Sequence, residues 1–132
     1  SDLEYFQHRY YTTYCLFLAK IQTNYSMALI KSVKGKNPVF GENVYLAENA
    51  TVVGEVTMGD NCSVWFSSVV KGDVNSIKIG NKVNIQDGAV VLEGTHIESG
   101  AIYAGVPAKK VKELNQEQTA RLIEDISNNY VL

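Results

Sequence analysis

From Phe40 to Pro107 the chain repeats with a period of six, an apolar residue opening each hexad and a small or β-branched residue following four places later. The openers are Phe40, Leu46, Val52, Met58, Val64 and Val70, then, after a slip of three residues, Ile79, Ile85, Val91, Ile97 and Tyr103. Their partners are Val44, Ala50, Val56, Cys62, Ser68, Val74, Val83, Ala89, Thr95, Ala101 and Pro107. An amphipathic helix places apolar residues every three or four positions and a half-buried strand every two, so a strict period of six fits neither. It is the hexapeptide period of a parallel β-helix, a mainly β solenoid, and it predicts between three and four triangular coils. The slip inserts Ser76, Ile77 and Lys78. An insertion in a solenoid goes to a loop on one edge, so a bulge is expected there.

Corners are expected at Gly41-Glu42-Asn43, Gly59-Asp60-Asn61 and Gly80-Asn81-Lys82, because Gly, Asn and Asp tolerate turn conformations. The segments on either side of the repeat differ in character. Over residues 1–26, Tyr10, Tyr14, Phe17, Ile21 and Tyr25 recur at spacings of four and three, which predicts a helix with an aromatic stripe, weakened by the β-branched pair Thr12 and Thr13. Such a stripe packs on its own solenoid, on a symmetry mate or on a protein partner. After Pro107, Lys109, Lys110 and Lys112 lead towards a helix in which Asn115 and Gln118 have the spacing of a capping box. Thr119, Leu122, Ile123, Ile126 and Tyr130 give that helix an apolar stripe to lay along the solenoid, and one or both appendages should cap an open end or lie on a flank. The organisation is therefore an extension over 1–26, a β-helix over 27–112 and a C-terminal helix over 113–132.

Composition narrows the partners. A formal net charge of −2 gives no basic face for nucleic acid. Two cysteines, Cys15 and Cys62, cannot make a disulfide framework, and Cys62 falls at an inward position where a thiol acts as a small apolar filler. The longest apolar run, Tyr14 to Ala19, is too short to span a bilayer, and no leader pattern follows it. A soluble, cytoplasmic protein without membrane contact is expected.

Three segments carry a resemblance: Val69-Val70-Lys71-Gly72-Asp73-Val74-Asn75-Ser76-Ile77, Asn84-Ile85-Gln86-Asp87-Gly88 and Tyr103-Ala104-Gly105-Val106-Pro107-Ala108-Lys109-Lys110-Val111. They resemble the γ-class carbonic anhydrase family and its hexapeptide-repeat relatives, over Met27 to about Tyr130. The resemblance implies a left-handed β-helix, against the right-handed rule for parallel crossovers, and a homotrimer. It also implies a zinc ion between subunits, held by three histidines and activating water to attack carbon dioxide. By motif position, Asp73 and Gln86 correspond to catalytic polar residues, and Lys71 and Asp87 to subunit-interface residues. Lys71 stands where the family has arginine, and an ammonium pairs less directionally with a carboxylate than a guanidinium fork does.

The chain departs from the family at the metal. Leu92 occupies the place of the first zinc histidine, and Leu92-Glu93-Gly94-Thr95 resembles a much later coil, so the stretch that would bring the other two is missing. Catalytic zinc needs three protein ligands and an open position for water. The histidines present are His8, in the extension, and His96, at the last and solvent-facing place of a hexad. His96 remains a candidate ligand as three copies about a trimer axis, and Cys62 should point inward. No bound metal is expected. Three readings follow: a carbonic anhydrase, that is a zinc lyase; a non-catalytic trimeric relative; and a hexapeptide acyltransferase with His96 as the base that deprotonates an acceptor. Tyr103, opening the final hexad, is assigned to the core.

Overall fold

The computed structural model describes residues 28–129, so the aromatic extension, with its expected helix, and Tyr130 lie outside the described residues. The chain winds a solenoid of about four turns. Its strands are β1 (Leu29–Lys31), β2 (Val39–Phe40), β3 (Tyr45–Leu46), β4 (Thr51–Met58), β5 (Ser63–Val64), β6 (Val69–Ile79), β7 (Val83–Ile85), β8 (Val90–Val91), β9 (His96–Ile97), β10 (Ala101–Ala104) and β11 (Lys109–Glu113). The helix α1 covers Gln116–Asn129.

Each coil has three faces. The first face stacks β2, the end of β4, the end of β6 and β9, and the second stacks β3, β5, β7 and β10. A third face stacks β1, the start of β4, the start of β6 and β8. All these pairings are parallel, as a solenoid requires. Inside, the predicted hexad residues meet their equivalents one coil away: Val52, Val70 and Val91 on one face, Leu46, Val64, Ile85 and Tyr103 on another. Most are essentially inaccessible to water, and each buried aliphatic side chain contributes about 1.5–3 kcal/mol through the hydrophobic effect. Of the buried polar residues Ser63 and Ser68, Ser63 Oγ accepts from Trp65 Nε1 at 3.0 Å, and Ser68 and the inward Cys62 are satisfied along the stack. Ser68 Oγ donates to the Gln86 carbonyl at 2.7 Å and Cys62 Sγ to the Gly80 carbonyl at 3.1 Å.

The corners lie where the Gly-Asx triplets put them, and they are tied together by a side-chain ladder. Asp60 Oδ1 accepts from the Glu42 amide at 2.8 Å, Asn81 Oδ1 from the Asp60 amide at 2.7 Å, and Ser99 Oγ from the Asn81 amide at 2.8 Å. These short polar side chains replace the backbone acceptors that a sharp turn removes. Asn81→Ala is accordingly expected to lower stability by about 1 kcal/mol, read as a shift in the urea midpoint at unchanged slope.

Three expectations need correction. The hexad slip produces a bulge, but its residues differ from those expected. Gly54 pairs with Gly72 and Val56 with Ile77, so the extra residues fall in Asp73–Ser76. Ile77, expected in the insertion, is fully buried, while Val74, expected inside, is 74% exposed. A core position goes to the residue whose register lets it face the preceding coil, and isoleucine fills it better than valine. Pro107 is exposed rather than inward, because the chain reverses after β10. Lys109–Glu113 then forms β11, an antiparallel strand on β10 where a lead-in to the helix was expected. This strand covers the last edge of the second face, and its charged residues keep it from recruiting another strand.

The capping box forms as predicted, with the Gln118 amide donating to Asn115 Oδ1 at 2.8 Å and the Asn115 amide to Gln118 Oε1 at 3.1 Å. Helix α1 then lies along a flank of the second face, burying Leu122 and Ile126. At about 1.5 Å per residue it is about 20 Å long, close to the height of four strands spaced about 4.8 Å apart. Its far end accordingly reaches the first coil, where Ser127 Oγ lies 3.3 Å from Asn43 Oδ1.

Candidate functional site around the third face

The residues singled out by the motifs frame the third face of the stack. Lys71 sits in β6 beside buried Val70 and points outward, and Val70 is paired with Val91, so Leu92 is its neighbour one coil on. Asp73 follows at the edge where the bulge begins. Lys71 Nζ lies 3.6 Å from Asp73 Oδ2, a partly exposed ion pair. Gln86 and Asp87 stand at the opposite edge of the same face. Gln86 Nε2 donates to Asn84 Oδ1 at 2.8 Å, and Asp87 Oδ1 accepts from the Phe66 amide at 3.0 Å.

The structure thus brings Lys71 and Asp73 together and keeps Gln86 and Asp87 apart from them within one chain. Lys71 pairs with Asp73, whereas Asp87 serves a corner in the manner of Asp60 and Asn81. Tyr103 is in the core, 9% exposed, as expected. His96 is exposed in β9, on the first face. Apolar side chains continue across the third face: Leu29 is 55% and Leu92 43% exposed, with Val53, Val69 and Val90 half-buried between them.

A cleft that the motifs did not announce opens at the bulge. It has a volume of about 300 Å³ and is lined by Lys34, Lys36, Glu55, Gly72, Asp73 and Val74, among others. Lys36 Nζ lies 3.7 Å from Glu55 Oε1. Asp73 Oδ1 is buried and receives no hydrogen bond among the described residues. The sequence signals that could have found it are the three-residue slip and the Lys34-Gly35 turn, both residues with positive φ.

Zinc does not fit the described residues. No group of three or more His, Cys, Asp or Glu residues is placed to hold a metal among them. Leu92 offers no lone pair. Cys62 is turned inward, and burial pushes its thiol up to about 11, against weaker lowering by backbone hydrogen bonds, so it is a neutral thiol near pH 7. In the folded protein Cys62 should resist alkylation by iodoacetamide at pH 8, checked by peptide mass mapping, and react once urea opens the stack.

A carbonic anhydrase from Geobacillus kaustophilus is 40% identical over 63 residues, 48% of this chain and 35% of that protein. The gamma carbonic anhydrase 2 of Arabidopsis thaliana mitochondria is 39% identical over 62 residues, 47% of this chain and 22% of that one. Over this segment the chain is similar to carbonic anhydrases, the γ class among them. An uncharacterised transferase, YtoA, from Bacillus subtilis is also similar to it, 44% identical over 59 residues, 45% of this chain and 34% of that protein. The matched segment therefore spans about a third or less of these relatives. No family model matches the chain. Among solved structures, a hexapeptide transferase family protein from Anaplasma phagocytophilum aligns with a TM-score of 0.39 and 20% identity, covering 78% of this chain and 94% of that one. No helix among the described residues is long and apolar enough to cross a membrane.

Proposed function

We propose that this chain is a non-catalytic γ-carbonic anhydrase-like scaffold that assembles as a homotrimer through its third face. The observation that carries the reading is Leu92, 43% exposed on that face beside Lys71, at the position the family resemblance assigns to a zinc histidine. A metal ligand replaced by an exposed aliphatic side chain exchanges coordination for contact, because exposed apolar surface gains by leaving water. Leu29, Val69 and Val90 extend that apolar surface along the stack, and Lys71 and Asp73 give it a polar edge. The motif residues also have uses that need no metal. Asp87 holds a corner, and Gln86 accepts at its carbonyl from Ser68 while its side chain braces Asn84.

An acyltransferase reading would make His96 the base. Such a base is oriented by a third group, and among the described residues none is placed to orient His96. The deciding experiment is elemental analysis of protein whose oligomeric mass is measured in the same run. A metal-free mass of three chains is the expected result. One zinc per chain, with carbon dioxide hydration, would overturn it.

A further inference from the structure

The two ends of the stack are closed differently. At the C-terminal end the chain covers its own last coil: β11 pairs with β10, the Val90 amide donates to the Gly105 carbonyl at 3.0 Å, and the Ala108 amide donates to the Val90 carbonyl at 2.8 Å. At the other end β1 and β3 are the outermost strands of their sheets, with no described strand beyond them. A terminal coil left in that state shows its core to water. Ile30 does so, standing over inward Val52 and 37% exposed.

Over β3 the same end is dry. Val44 and Leu46 are each 2% exposed, and α1 does not account for it, because the helix lies on the outward flank of the second face whereas these side chains point into the coil. The backbone carries the same sign. Tyr45 and Ala47 donate their amides to the Cys62 and Val64 carbonyls of the next coil, each at 2.9 Å, so strand alternation turns the Leu46 amide towards the end. A buried amide on a sheet edge needs an acceptor and a cover. The chain itself enters at this place. The Leu29 amide donates to the Ala50 carbonyl at 2.9 Å and Ala28 packs on the core, which puts the start of the described chain beside the corner that follows Leu46. Tyr25 is three residues upstream of Ala28, about 10 Å of extended chain at most, and Ile21 precedes it by one helical turn in the aromatic stripe.

We infer that residues 1–26 dock on this end of the stack, over β3, with Ile21 and Tyr25 against Val44 and Leu46 and the rest of the stripe carried across the first coil. Among the surfaces open to such a stripe, this one is apolar, closed to water and tethered to the stripe by a few residues. The inference does not depend on whether the chain carries zinc or forms a trimer, since the third face is left clear.

The test uses the full chain. Cys15 adjoins the stripe and Cys62 is buried, so a thiol-reactive nitroxide can be placed on Cys15 alone, checked by intact mass. Paramagnetic broadening of amide signals should be strongest at Tyr45–Leu46 and weaken coil by coil along the second face, through Ser63–Val64 to Ala101–Ala104. In the chain carrying both Ile21→Ser and Tyr25→Ser this gradient should be lost, and the Leu46 amide should exchange with deuterium at least about tenfold faster. The Gly80 amide, which donates to the Ile97 carbonyl at 2.8 Å far from this end, serves as the control and should hold its rate. Even broadening along the stack, broadening strongest at the C-terminal end, or unchanged Leu46 exchange in the folded double variant would overturn the inference. So would the same gradient in a mixture with nitroxide and isotope on different chains, because the segment would then cover a second copy. Should the double variant not fold, the broadening pattern of the unaltered sequence still decides.

Discussion

Gly54→Val is expected to lower stability by more than about 4 kcal/mol and leave little folded protein at 37 °C. Gly54 has φ +82°, a region that costs a residue with a Cβ about 1–2 kcal/mol and a β-branched one more. The larger effect is steric: a Cβ there would overlap the Gly72 carbonyl on the next coil. Neither strand can yield, because β4 and β6 are paired on both sides of the contact, at Val52 with Val70 and at Val56 with Ile77. Gly88 provides the control. Its φ is +71°, but a Cβ would meet nothing within 4 Å, so Gly88→Ala should cost only the conformational penalty of about 1–2 kcal/mol. Urea titration of both variants checks the pair, and a Gly54→Val protein within 1 kcal/mol of the parent would refute the account.

Ile77→Ala should cost about 2–5 kcal/mol, whereas Val74→Ala should stay within about 0.5 kcal/mol. Ile77 is fully buried and its truncation opens a cavity between coils that the backbone ladder cannot close, while Val74 is largely in water. The reverse order of effects in thermal or urea unfolding would mean that the strand register places the insertion elsewhere.

That pair of residues also marks the limit of what the sequence reveals. Counting in sixes locates Leu46, Val64 and Ile85 in the core because each hexad independently demands an inward residue at its opening. At the slip, two apolar residues three positions apart compete for one inward place, and the count cannot choose between Val74 and Ile77. The choice is made by pairing with the preceding coil, which fixes Val56 opposite Ile77. Strand β11 escaped for a related reason: Lys109-Lys110-Val111-Lys112-Glu113 buries none of its five residues, so it has no periodic apolar signal and exists by edge pairing alone. The capping residues Asn115 and Gln118, by contrast, act over three positions, and local chemistry of that kind is readable directly.

The candidate site divides along the same line. Lys71 and Asp73 are close in sequence and are found together, 3.6 Å apart. The cleft joins Lys34, Glu55 and Asp73 from three successive turns, a neighbourhood set by how many residues each coil contains. A motif read along the chain does not register it.

The corner ladder links residues 18 or 21 positions apart and nothing more distant. Under mechanical load such a stack has no single element whose rupture releases the whole. Pulled from its C-terminal end, the protein would shed α1, whose Ser127 contact with Asn43 spans 84 positions, and then unwind one turn at a time. Each turn of 18 residues would lengthen the chain by about 60 Å, giving evenly spaced yield events where a globular domain gives one.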